Sequence, residues 1–215
     1  MIAQWDRLLE GAWLTLQISL FATIFGTVIG VLAAVAARSS AWLRPIIAVY
    51  VSFIRGTPLF IQILVIYFVL PGFGLDLSSF QTGVIVLAIN SGAYISEMIR
   101  GALTAIPPGQ IEAAEALALS PRRIWTRIIL PQVFRLIVAP LTVEFTALLK
   151  ASALLSIIGV VELTRTAQQI ITVTYAPTQT WLAVGALYFL MCFALGLFTR
   201  GLERIFANPL ETRRA

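Results

Sequence analysis

From Gly11 to Ala37 the chain runs for 27 residues without one charged side chain. That is longer than the roughly 20 residues needed to cross the hydrocarbon core of a bilayer, so the stretch predicts a transmembrane helix over residues 11–37. It also exceeds the ~7–15-residue apolar run of a secretory leader, and Ala34-Val35-Ala36 is read as part of the span rather than as a cleavage site. The remainder agrees. Of the 215 residues, 59% are hydrophobic and 12% are charged, about half the charge of an ordinary soluble domain. A net charge of +5 then has no broad solvated face to occupy, which argues against nucleic acid as a partner.

Four more apolar stretches follow. Arg44-Pro45 opens a span over 45–70 that contains Arg55 and ends in the turn-forming Pro71-Gly72-Phe73-Gly74. The next spans are 82–106, stopped by Pro107-Pro108-Gly109, then 133–149, entered through Pro131, and 181–199. Residues 150–180 are intermediate, an apolar piece around Leu154–Val161 before the polar Glu162–Gln169, as in a short helix dipping partway into the membrane. The expected fold is all-α, a polytopic integral membrane protein of five transmembrane helices in one domain over 1–215. Five spans place the ends on opposite sides. Eleven Lys/Arg residues fall on the side of Arg122, Arg200, Arg213 and Arg214, against Arg7, Lys150 and Arg165 on the other. The positive-inside bias therefore puts the C-terminus in the cytoplasm and the N-terminus outside.

The residue inventory narrows the chemistry. With no His and one Cys, the chain has no imidazole metal site and no Ser-His or Cys-His catalytic pair. The only lysine, Lys150, stands between Leu149 and Ala151, so there is no Gly-Lys-Ser/Thr phosphate loop. Enzyme readings lose most of their raw material.

The cytoplasmic stretch over 107–131 is patterned. Ile111, Ala114 and Ala118 fall at helical spacing, Ser120 is a candidate cap, Pro121 suits a first turn, and Ile124, Ile128 and Leu130 follow. Two short helices with a sharp joint are expected, one of them free to lie in another protein's groove.

Glu112-Ala113-Ala114, Ala118, and Ile128 with Leu130-Pro131 resemble the EAA loop of ABC-importer permease subunits, with Ala118 at the usual glycine position. Phe53-Ile54-Arg55-Gly56-Thr57-Pro58-Leu59 and Gly92-Ala93-Tyr94-Ile95-Ser96-Glu97-Met98-Ile99-Arg100-Gly101 narrow the resemblance to permeases for polar amino acids. The resemblance implies partners: P-loop ATPase subunits that carry ATP and Mg, a second permease subunit (a different one slightly favoured), an extracytoplasmic solute-binding protein, membrane lipid and an amino-acid substrate. No cofactor is expected on this chain, and the location implied is a bacterial inner membrane. By the same resemblance Glu112, Ala113, Ala114, Ala118, Leu119, Ser120 and Arg122 form the coupling interface, with small alanines allowing close approach.

Polar residues within spans are functional candidates by their cost. Asn90 suits either a substrate's charged group or an interhelical hydrogen bond. Glu144 and Lys150 would offer both signs to a zwitterion, or satisfy each other; Ser152 and Thr57 complete the candidate substrate set. The family's Lys-Asp is here Lys150-Ala151. Arg55 and Glu97 are read as structural charges, Arg55 satisfying Glu97 and the carbonyls freed by Gly56 and Pro58, with Arg100 three residues from Glu97. Gly26, Gly30, Gly185 and Gly196 are read as packing steps, and Trp13, Trp181 and Tyr188 as interface anchors or lipid-facing bulk. The alternatives are an ion-driven secondary carrier, which usually needs more spans with visible inverted repeats, and a passive channel or assembly subunit, which leaves the two-helix loop unexplained.

Overall fold

The computed structural model describes residues 4–206, among which all regular structure is helical. Arg213 and Arg214 of the basic tail lie outside the described residues. Helix α1 (Trp5–Ser39) packs along α4 (Ser79–Thr104), and the two run parallel: Gly26 meets Ser91, and Gly30 meets Ile95. A Cβ on Gly30 would sit 2.7 Å from the Ile95 side chain, so glycine is what lets the backbones approach. The buried stripe of α1 includes the small or polar Ala12, Thr15, Ser19 and Ala22, while Trp13, Phe21, Phe25 and Leu32 point outward. Large apolar side chains on the outside are what a lipid solvent favours. Gly26 and Gly30 are thus packing steps as expected. A Cβ added at Gly185 or Gly196 would meet nothing within 4 Å, so these two are not packing steps within this chain.

Among the described residues four helices are long and apolar enough to cross a membrane, or five spans if one bent pair is counted as a unit. That pair lies in the span expected over 45–70, with its break at Gly56 and Pro58, the residues expected to free carbonyls. Helix α2 (Leu43–Gly56) and α3 (Leu59–Val69) meet at 108°. Thr57, which precedes Pro58, is extended (φ −116°, ψ 145°), because the proline ring disfavours the helical conformation in the residue before it.

Beyond α5 (Pro108–Ala116), helix α6 (Pro121–Ile124) continues through a π turn at Trp125–Ile129 into α7 (Leu130–Ala151) and a 3₁₀ stretch at Ser152–Ile158. The whole is one helix of 38 residues. Neither a separate second short helix nor a span beginning at 133 is observed. Pro131 lacks an N–H and its ring crowds the carbonyl four residues back; the widened π turn just before it absorbs that conflict without ending the helix. Gly159 (φ 82°) then turns the chain into α8 (Leu163–Thr174) and α9 (Pro177–Phe206).

Candidate functional site

Helix α5 is stopped by a Schellman motif. The Leu119 N–H donates to the Ala114 carbonyl (3.1 Å) and the Ala118 N–H to that of Glu115 (2.8 Å), which puts Ala118 in the left-handed region at φ 54°. This is the geometry in which a glycine is at ease, and Ala118 adopts it with a side chain. The fold divides the predicted coupling residues into two faces. Ala114 is 3% exposed and packs with Ile111 and Leu119 against Ala102, Ile106, Ile124, Ile129 and Val133. It serves the chain's own core, which corrects its placement on the partner face. Glu112, Ala113, Ala118, Ser120 and Arg122 are exposed, as are Glu115 and Ala116. Ser120 sits at the N-cap position, but its side chain makes no capping hydrogen bond. Leu117, which the sequence reading passed over, is 75% exposed at the tip. A leucine between a helix end and a left-handed residue was the available signal. The unit is tied down by Gln132 Nε2 donating to Gln110 Oε1 (2.7 Å) and by the Arg38 guanidinium 5.0 Å from the Trp125 ring centre.

Within the membrane, Asn90 and Thr57 converge on a residue the sequence reading missed. Gln62 is buried, and its Nε2 donates to the Ile54 carbonyl (2.8 Å), the Thr57 carbonyl (3.1 Å) and Thr57 Oγ1 (2.9 Å). Its Oε1 accepts from Asn90 Nδ2 (3.0 Å), and Thr57 Oγ1 donates to the Phe53 carbonyl (2.8 Å). The carbonyls freed at the α2–α3 break are thus satisfied by Gln62 and Thr57, not by Arg55 as expected. Asn90 makes the interhelical bond that was one of its two readings. A single glutamine in the apolar run after Pro58 was the legible trace.

Glu144 is buried in α7 beside the Ser91 hydroxyl of α4, which is itself buried without a hydrogen-bond partner of good geometry. Lys150 is exposed and forms no ion pair with Glu144; six residues along a helix put the two on different faces. Ser152 is buried and donates to the Leu149 carbonyl (2.9 Å). The five predicted substrate residues therefore do not gather at one point.

Arg100 grips the Glu97 carboxylate through Nε and Nη2 at 2.7–3.1 Å. Arg55 stands 3.6 Å from the same carboxylate and 5.4 Å from the Tyr94 ring centre. Glu162, wholly buried, caps α8: its carboxylate accepts from the N–H groups of Thr164 and Arg165 (both 2.8 Å) and from the Tyr188 hydroxyl (3.0 Å). Burial pushes the Glu162 carboxyl above the usual carboxylate range, while the two amides and the phenol pull the other way. Tyr188 is thereby an internal hydrogen-bond donor, not an interface anchor.

Residues 26–207 match the model of a family described as binding-protein-dependent transport system inner membrane component. The chain is 40% identical over 200 residues to the glutamine transport system permease protein GlnP of Escherichia coli (strain K12), covering 92% of this chain and 91% of that one. It is 36% identical over 208 residues to the L-cystine transport system permease protein TcyB of Bacillus subtilis (strain 168), covering 93% and 86%. A crystal structure of an amino acid ABC transporter with histidines superposes with a TM-score of 0.90 at 36% identity, covering 95% and 96% of the chains. An inward-facing structure of the MetNI methionine ABC transporter shares the fold, with a TM-score of 0.80 at 22% identity over 97% and 100%.

Proposed function

This chain belongs to the family of binding-protein-dependent transport system inner membrane components, and from that membership we propose that it moves polar amino acids into the cytoplasm, driven by ATP hydrolysis on separate P-loop ATPase subunits. The observation that carries this reading is the exposed outer face of α5, Glu112, Ala113, Ala116 and Leu117, on a helix whose inner face is packed against the same helix that crosses the membrane. A groove closing on Leu117 would move α5, and through Ile124, Ile129 and Val133 would move α7 with it. The substrate class is supported by the relatives named for glutamine and cystine. Glu144 is our candidate for a substrate ammonium: it is buried, with no ion pair among the described residues, beside the Ser91 hydroxyl. Asn90, Thr57 and Ser152 are committed to internal bonds, so their part is to hold the helices that frame Glu144. Lys150, exposed farther along α7, is left to meet a carboxylate. A second permease subunit, a different one favoured, supplies the remainder of the site, and an extracytoplasmic solute-binding protein delivers the solute. The arginine distribution sets the C-terminus and α5 on the cytoplasmic side.

The test is reconstitution with the cognate ATPase and binding protein in proteoliposomes, screening the twenty amino acids for stimulated ATP hydrolysis and uptake. Leu117→Asp is expected to abolish both while leaving thermal unfolding unchanged. Glu144→Gln is expected to lower uptake at least about tenfold, the loss of one well-placed charge-assisted contact, with ATPase binding intact. Full uptake by Leu117→Asp, or uptake that follows the proton gradient at constant ATP, would defeat the reading.

A further inference from the structure

A cavity of about 400 Å³ opens between the start of α1 and α8, at the opposite end of α1 from Arg38 and Trp125. Its size falls in the ~300–1,000 Å³ range of small-molecule sites. Arg7, Glu10, Trp13, Gln17, Thr166 and Gln169 line it. Its wall is set where the two helices touch: a Cβ on Gly11 would sit 2.7 Å from Thr166 Oγ1, so glycine permits the close approach of α1 to α8. Glu10 is the last charge before the uncharged run that begins at Gly11, and both Arg7 and Glu10 are exposed, so the mouth of the cavity is open to solutes at the end of the span. These two charges stand one helical turn apart, a spacing at which opposite charges commonly pair, yet they form no ion pair. The Arg7 guanidinium is drawn aside: Nη1 donates to Gln4 Oε1 (3.4 Å) and Nη2 to Gln169 Oε1 (3.2 Å). Its other N–H donors and the amide hydrogens of Gln169 are left for an oxyanion. The Glu10 carboxylate has no partner among the described residues, and neither has the amide of Gln17, which lies on the same side of α1 about 10 Å deeper.

We propose that this cavity is a separate binding site for a free amino acid, with Arg7 and Gln169 taking the α-carboxylate, Glu10 the α-ammonium and the Gln17 amide facing the side chain. A lone anion would leave Glu10 unanswered and a lone cation would leave Arg7; a molecule that carries both charges a few bonds apart answers both. Phosphatidylethanolamine carries the same two charges, but the polar Gln17 stands on the inner wall, where acyl chains need an apolar surface. The choice of an amino acid among small zwitterions rests on the transport reading above; the site itself rests on the cavity and does not include Glu144.

The test is fluorine NMR of the assembled transporter in phosphatidylglycerol nanodiscs, with fluorotryptophan in place of tryptophan and Trp13→Phe to identify the Trp13 signal. L-glutamine is expected to move that signal saturably in the millimolar range. It should bind about fivefold more tightly than N-acetyl-L-glutamine, which lacks the ammonium, or L-glutaminamide, which lacks the carboxylate. Arg7→Gln is expected to erase only the preference over L-glutaminamide, and Glu10→Gln only that over N-acetyl-L-glutamine, a split that a merely structural pair of charges would not give. Glu144→Gln is expected to leave the Trp13 response unchanged. Each variant is checked by thermal unfolding, and the wild-type preferences stand as a separate arm if one fails to fold. The proposal is overturned by a Trp13 signal unmoved at about 50 mM L-glutamine, by equal affinity for the three compounds, by preferences that survive both substitutions, or by loss of the response in Glu144→Gln. It is also overturned if phosphatidylethanolamine in the nanodisc moves the signal and L-glutamine then does not, which would give the cavity to a headgroup. ATP-driven uptake is measured separately: uptake with a silent Trp13 sinks this site alone, and a responsive Trp13 with uptake that follows the proton gradient sinks the transport reading alone.

Discussion

The molecule turns sharply at two places, and it holds them by different means. At Gly56-Thr57-Pro58, inside the bent pair, side chains satisfy the freed backbone: Gln62 serves Ile54 and Thr57, Thr57 serves Phe53, and Asn90 anchors Gln62 to α4. At Leu117–Ser120, beside α5, the turn is made by backbone bonds alone, and the available capping serine makes none. In hydrocarbon an unpaired carbonyl has no water to turn to and needs a side chain. In water it does not, so the outer joint is free to be defined by conformation alone. The inner joint should therefore be fragile to loss of one polar group and the outer one tolerant.

The largest effect is expected from Gln62→Leu, which strands two carbonyls and the Asn90 amide. At about 1–3 kcal/mol per buried unsatisfied group, of which relaxation recovers part, a loss of about 3 kcal/mol is expected, read as a fall in Tm of about 6–12 °C. Asn90→Leu should cost less than half as much, since Gln62 keeps its backbone partners. A second interior cap extends the contrast: Glu162→Ala should cost about 2 kcal/mol by the same reasoning. Because the folded-state value of Glu162 is raised, its contribution is fully present below the ordinary glutamate range and lost as pH rises through the raised value. Thermal unfolding of the wild type should weaken over that interval, and that of Glu162→Gln should not. At the outer joint, Ala118→Gly should stabilise by about 1 kcal/mol, because an alanine is held there in the left-handed region. The smallest effect is expected from Ser120→Ala, within about 0.3 kcal/mol, where a working cap would lose about 1. If Gln62→Leu moved Tm no more than Ala118→Gly, the contrast between the two joints would collapse.

The elements most legible in the sequence were those written as runs. The uncharged stretch at 11–37 and the apolar ones beginning near 82 and 181 are helices because nothing in them competes with helix, and Pro107-Pro108 marked an end that the chain obeys. Proline elsewhere had two outcomes. Pro131 reads as a start but sits inside a continuous helix, because a π turn can absorb it, whereas Pro58 turns a span through more than a right angle. Which outcome follows depends on whether neighbours exist to satisfy the freed carbonyls, and Gln62 lies next to one proline in space in a way that spacing alone does not announce. The same holds for Glu144 and Ser91, which meet only because α4 and α7 pack. Glu162 and Tyr188, 26 residues apart, likewise show their bond only in the folded chain. The Glu112-Ala113-Ala114 motif was readable as a string, but the two faces of its helix were not, since helical spacing does not say that Ala114 is the residue turned inward.

The unbroken run from Pro121 to Ile158 has a mechanical corollary. Thirty-eight residues of helix make a rod about 57 Å long, gripped at one end by the hydrophobic cluster beneath α5 and bearing Glu144 well along its length. Because the π turn preserves continuity, rotation applied at the gripped end is delivered with leverage: a tilt of about five degrees sweeps the distal tip by about 5 Å, roughly the rise of one helical turn. Pro140, which sits between the grip and Glu144, lacks the N–H of one backbone hydrogen bond and so softens the rod on the stretch that leads to the carboxylate.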